Sequence, residues 1–183
     1  DRCLSRGLGD VYKRQDNGSG KSTLLGLISG ILNPNNGKIE CFSDRFAYVG
    51  ATPLIIKGSL RENLLYGNNL KVKDKEVLKL VKSYKLFIDD QDEVLDKQIT
   101  NKSLSSGQMQ KISFIRAMLS NPMVLILDES TSNLDYDSRK LINEQLKSTK
   151  LTIINSTHSI EEVDYDHHLH IDILDTKRRL RIV

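Results

Sequence analysis

Asp16-Asn17-Gly18-Ser19-Gly20-Lys21-Ser22-Thr23 runs without a break into Leu24-Leu25-Gly26-Leu27-Ile28, so a glycine-rich loop opens directly into an apolar helix. Successive backbone N–H groups in such a loop, together with the positive end of the helix, surround phosphate groups. In this pattern Asn17, Gly18, Ser19 and Gly20 cradle the phosphates, Lys21 reaches the β and γ phosphates, and Ser22 and Thr23 complete the turn into the helix. The Ser22 hydroxyl is the expected Mg2+ ligand, because this hard cation prefers oxygen and keeps its other positions for water and phosphate oxygens. The pattern departs from its usual form at the start, where Gln15 stands in place of the first glycine.

The second informative run is Met123-Val124-Leu125-Ile126-Leu127-Asp128-Glu129. An apolar strand ending in two carboxylates puts both at the carboxyl edge of a sheet, beside a phosphate loop. Asp128 is then expected to hold Mg2+ through its water, and Glu129 to accept a proton from the water that attacks phosphorus. By itself the run also fits a strand that merely ends in a solvated turn. Its company with Lys21 gives it chemical meaning.

Between and around these runs the pattern alternates. Leu24, Leu25, Leu27, Ile28 and Ile31 form the broad face of a helix that stops at Asn33-Pro34-Asn35-Asn36-Gly37. Short strands are expected at Lys38–Phe42 and Arg45–Val49. Ser59 and Glu62 make a capping box for a helix over Leu60–Leu65, and Val77, Leu78, Val81 and Tyr84 mark another. A further helix starts near Ser105, carries Met109, Ile112, Ile115 and Leu119 on one side, and ends at Asn121-Pro122. Leu141, Ile142 and Leu146 suit a helix, Leu151–Ile154 a strand, and Ile171–Val183 a hairpin-like pair. Strands alternating with helices imply an α/β fold: a P-loop core with a mostly parallel sheet, plus an inserted helical subdomain at about 58–103.

Composition narrows the classes without choosing one. The chain has 183 residues, 38% of them apolar, enough for one core. Cys3 and Cys41 are far apart and in no ligand spacing, so neither a disulfide framework nor a zinc site is suggested, and a reducing compartment fits. No apolar run approaches the ~18 residues of a membrane span. The formal charge of +3 is spread along the chain, which gives no footprint for nucleic acid. Residues 1–15, DRCLSRGLGDVYKRQ, occupy the place of the strand that feeds the loop, yet Lys13, Arg14 and Gln15 follow Val11 and Tyr12 where a buried parallel strand reads Val/Ile/Leu. The segment is similar to a translated sequencing-adapter peptide, so it is expected to be a non-native leader and is set aside, leaving 16–183 as the domain.

Leu104-Ser105-Ser106-Gly107-Gln108 resembles the LSGGQ signature of ABC transporter nucleotide-binding domains, with Ser106 replacing a glycine. The order also matches that family: phosphate loop, helical insert, signature, carboxylate strand, then Ser132-Asn133-Leu134-Asp135 resembling the D-loop and His158 resembling the switch histidine. The resemblance covers essentially all of residues 16–183. It implies binding and hydrolysis of ATP with Mg2+, and a head-to-tail dimer with a second nucleotide-binding domain. Ser105, Gly107 and Gln108 of one copy would then serve the γ-phosphate held by the other. His158 would hold the attacking water in line with Glu129, and Asp135 would carry communication between the two sites or simply start the next helix.

Tyr48-Val49-Gly50-Ala51-Thr52-Pro53-Leu54, followed by Gly58-Ser59-Leu60-Arg61-Glu62-Asn63, resembles the Q-loop region of exporter-type members, which implies a transmembrane domain as partner and a place at the cytoplasmic face of the cell membrane. Ala51 stands where the family has a glutamine ligand to Mg2+, and a methyl group coordinates no cation. That departure leaves a competing reading, a weakly hydrolysing regulatory module of a heteromeric transporter; a soluble ATPase of the same family is a second, which paired cassettes or a coiled-coil insert would support. The adenine-stacking aromatic of the family lies upstream of the loop, where residues 1–15 offer no substitute, so weak activity is expected of the isolated chain. His167, His168 and His170 alternate along a strand without a carboxylate or cysteine ligand, and Lys71, Lys73, Lys75, Lys79, Lys82 and Lys85 read as a wet helix face.

Overall fold

Alternating strands and helices are what the computed structural model contains, and it describes residues 11–13, 20–87, 93–132, 134–156, 165–174 and 177–182. In chain order the elements are β1 (Val11–Lys13), α1 (Lys21–Ile28), β2 (Phe46–Gly50), β3 (Gly58–Ser59), α2 (Leu60–Leu65), α3 (Asp74–Ser83), a 3-10 turn (Val94–Asp96), β4 (Gln98–Ile99), α4 (Ser106–Leu119), β5 (Val124–Asp128), α5 (Tyr136–Lys147), β6 (Thr152–Ser156), β7 (His167–Leu174) and β8 (Lys177–Ile182). They divide between two compact units. The first draws on Asp1–Gly50, Pro122–Ser132 and Lys150–Val183, and the second on Ala51–Asn121 and Asn133–Thr149.

The first unit is built on a sheet in the order β2-β5-β6-β1-β7-β8, parallel throughout except for the antiparallel β7–β8 pair. Strand β5 is buried at all five positions, as an unbroken apolar run demands of a strand covered on both faces. Its neighbour β2 buries Ala47 and Val49 and exposes Tyr48. Helix α1 lays Leu25 against Val124 and Ile126, with Ile28, Phe46 and Ile154 packed around them. Gly50, Asp128, Ser156 and Lys13 are successive pairing partners across β2, β5, β6 and β1, and each is the last residue of its strand. The carboxyl edge of the sheet is therefore flush.

Several elements differ from the sequence expectation for identifiable reasons. Val11–Lys13, inside the segment set aside, forms β1 between β6 and β7, since strand pairing uses backbone groups whatever the side chains are. Helix α1 ends at Ile28, before Ile31, because Gly30 adopts φ 74 and donates its N–H to the Leu27 carbonyl; Ile31 is left 62% exposed. No strand forms over Lys38–Phe42, where only Glu40 makes an isolated bridge and residues 31–40 are all exposed. Strand β6 runs on to Ser156, past the apolar stretch, because Asn155 and Ser156 are polar yet buried. The C-terminal pair begins at His167, ahead of Ile171.

In the second unit, β3 pairs antiparallel with β4, and α2 packs on α4. The capping box of α2 is present: Ser59 Oγ accepts from the Glu62 N–H, and the Ser59 N–H donates to Glu62 Oε2 at 2.6 Å. Buried Asn63 accepts from the Ile56 N–H and donates to the Ile56 and Ser59 carbonyls, tying the incoming segment to the helix. Arg116 of α4 donates to the carbonyls of Asn63 and Leu54. Helix α4 is not buried on one side only: Gln110 and Phe114 are enclosed along with Ile112, Ile115 and Leu119, since both α2 and α3 contact it. Among the described residues no helix is long and apolar enough to cross a membrane.

Candidate functional site

Every segment that leaves the flush edge of the sheet carries residues singled out by the sequence. Beyond Lys13 the chain reaches Gly20, Lys21 and Ser22; beyond Asp128 comes Glu129; beyond Gly50 comes Ala51; beyond Ser156 comes His158. Asn17, Gly18, Ser19 and His158 lie outside the described residues. Gly20 is the N-cap of α1 at φ 91, ψ 16, a left-handed conformation that glycine adopts freely and other residues adopt at a cost. Lys21 follows, only 5% exposed, whereas Ser22 and Thr23 are exposed.

Among the described residues nothing lies within 4 Å of the position a Gly20 Cβ would take, so Gly20→Ala meets backbone strain and no clash with them. Urea denaturation should show a loss of about 1–2 kcal/mol, the penalty of a left-handed L-residue. An unchanged stability would mean that the loop relaxes to another conformation.

Asp128 is 8% exposed. Its Oδ2 accepts a 2.7 Å hydrogen bond from the Tyr48 hydroxyl, whereas its Oδ1 is buried without a partner among the described residues. Burial first, and then the Asp128 carboxylate, push the Tyr48 phenol well above its ordinary range, so it remains a donor at neutral pH. Ser156 Oγ, on the same row of the sheet, is also buried without a partner. Glu129 turns the chain out of the strand at φ 53, with its N–H on the Ser156 carbonyl at 2.8 Å and its own carbonyl accepting from the Ser132 hydroxyl at 2.8 Å. Unpartnered buried oxygens are costly, and a cation with its waters supplies what they lack. This donor set is all oxygen, with a carboxylate and hydroxyls, which fits Mg2+.

The remaining candidates belong to the second unit. Ser105 caps α4: its Oγ accepts from the Gln108 N–H at 3.2 Å, and its own N–H donates to Gln108 Oε1 at 3.0 Å. Asp135 caps α5 by accepting from the Ser138 N–H at 2.8 Å, and that bond holds its carboxyl below the usual range. The two helix starts adjoin, since a Cβ on Gly107 would lie 3.6 Å from Ser138 Oγ and 3.7 Å from Asp135 Oδ2. Ser105, Gly107, Gln108 and Asp135 thus gather at neighbouring helix starts, where the Asp135 carboxylate answers the positive end of α5 and the positive end of α4 is the one left to favour an anion.

Tyr48 and Ser156 were not legible as site residues. Tyr48 is separated from Asp128 by 80 positions, and only the pairing of β2 with β5 brings them together.

A parallel sheet with a helix rising from its carboxyl edge behind a left-handed glycine, a buried lysine and a buried carboxylate defines a P-loop nucleoside-triphosphatase fold. The family model described as ABC transporter matches residues 16–132, and the chain belongs to that family. It is 34% identical over 168 residues to the lactococcin-A transport/processing ATP-binding protein LcnC of Lactococcus lactis subsp. lactis, covering 83% of this chain and 24% of that protein. It is 38% identical over 149 residues to the multidrug resistance protein sirA of Leptosphaeria maculans, covering 72% of this chain and 12% of that protein. The chain therefore spans a quarter or less of the length of these relatives. In fold it matches a bacterial Atm1-family ABC exporter with ATP bound, with a TM-score of 0.79 at 22% identity, over 90% of this chain and 32% of that one.

Proposed function

We propose that residues 16–183 are the ATP-binding and ATP-hydrolysing domain of an exporter, working with Mg2+, a second nucleotide-binding domain and a transmembrane domain at the cytoplasmic face of the membrane. The observation that carries this reading is the buried, unpartnered Oδ1 of Asp128 on the edge from which the helix of Lys21 and Ser22 rises. Lys21 and the N–H groups at the start of α1 bind the phosphates, while Ser22 and Asp128 hold the metal. Bound Mg2+ neutralises charge on the phosphate oxygens. Glu129 accepts the proton of the attacking water, and His158 keeps that water in line. Ser105, Gly107 and Gln108 face the partner copy, where the start of α4 offers N–H groups and a hydroxyl to its γ-phosphate, and Asp135 carries communication between the two sites.

Membership of the family and the likeness to exporters support this reading; the buried carboxylate supports its metal. Calorimetry of the 183-residue chain with ATP tests it directly. Binding should tighten with Mg2+ and weaken in EDTA, and equal affinity with and without the metal would remove Ser22 and Asp128 from their roles. Ala51 favours a slower variant of the same function, in which the domain binds ATP and regulates a competent partner. Single-turnover hydrolysis in the assembled exporter separates the two.

A further inference from the structure

Tyr48 opens the stretch that resembles the Q-loop region without a role assigned to it there, and its hydroxyl is the hydrogen-bond partner that the structure gives to the Asp128 side chain. It stands on β2 opposite Ile126, two residues before Gly50, the pairing partner of Asp128. The phenol spans that offset and ends on Oδ2, leaving Oδ1 buried and unclaimed. Rotation of a carboxylate about its last bond is soft, with a broad two-fold profile, so an unanchored aspartate presents either oxygen or both. Anchoring one oxygen removes that freedom.

We propose that Tyr48 is a positioning residue for the metal site: it occupies Oδ2 of Asp128 so that Oδ1 alone faces the Mg2+ hydration shell. The inference rests on the nucleotide reading given above and deepens it. Ala51, which follows Gly50 directly, contributes no oxygen, so orientation of the remaining carboxylate matters more. A phenylalanine at position 48 keeps the ring and its packing and loses only the donor. It therefore separates positioning from folding.

The test uses the full chain, ATP and Mn2+ as a paramagnetic stand-in for Mg2+, with bound Mn2+ counted by electron paramagnetic resonance. Tyr48→Phe should leave ATP affinity in EDTA within about twofold of the parent and weaken Mn2+ binding to the ATP complex by about tenfold, the scale of one hydrogen bond to a charged group. In an Asp128→Asn background the same substitution should add nothing, since the oxygen it positions is gone. Unchanged Mn2+ affinity in Tyr48→Phe, with the parent binding normally, overturns the inference and leaves the nucleotide reading standing. Tighter binding also overturns it, because the phenol would then only withdraw charge from the carboxylate. A parent chain that binds no Mn2+ with ATP defeats the nucleotide reading itself, and this inference with it.

Discussion

Glu129→Gln should leave ATP binding within about twofold of the parent and lower single-turnover hydrolysis in the assembled exporter by about 10²–10⁴-fold, the range a positioned general base supplies. The glutamine keeps the size and the hydrogen-bonding reach of the side chain but takes no proton from water. Its backbone setting should survive, because the turn is held by main-chain bonds: the residue 129 N–H to the Ser156 carbonyl, and the Ser132 N–H and hydroxyl to the residue 129 carbonyl. Glu129 adopts φ 53, a left-handed conformation costing a non-glycine residue about 1–2 kcal/mol, and glycine would sit there without strain. A carboxylate held in that conformation at the edge of the sheet is what the proposed role of Glu129 would lead one to expect. Undiminished hydrolysis by the variant would remove Glu129 from the role and return the turn to a structural one.

What could be read in advance was what neighbouring residues decide between themselves. The capping box at Ser59–Glu62 spans three positions and forms as the sequence pattern requires, and the helix expected to start near Ser105 starts there. Strand β5 announces itself because five consecutive apolar residues suit a strand covered on both faces. Features that depend on remote partners were hidden. The extension of β6 is made of Asn155 and Ser156, and Asn155 tolerates burial because its side chain donates to the Tyr165 hydroxyl at 2.7 Å. The enclosure of Phe114 and Gln110 depends on which helices surround α4, something no period of 3.6 contains. Likewise, the carboxylate of Asp128 could be placed at the end of a strand, but its anchoring by Tyr48 appears only once β2 lies beside β5.

Lys21→Met should lower ATP affinity far more than it changes stability. Lys21 is the first residue of α1, in a first turn that contains no acidic residue, and it is 5% exposed. A positive charge at the positive end of a helix costs about 0.3–1 kcal/mol, and enclosing it adds a desolvation penalty. An anion docked at the same end offsets both. Methionine keeps the length and the apolar stem of lysine without the charge, so urea denaturation without nucleotide should shift by no more than about 1 kcal/mol, relief at the helix end offsetting the loss of whatever the ammonium contacts. ATP affinity should fall by about 30-fold to 10³-fold or more, since stripping one partner from a buried charge pair costs about 2–5 kcal/mol and each 1.4 kcal/mol is tenfold. A residue kept for the fold alone would give the reverse, with stability lost and ATP affinity retained. That pattern would separate Lys21 from the phosphates and take the nucleotide site with it.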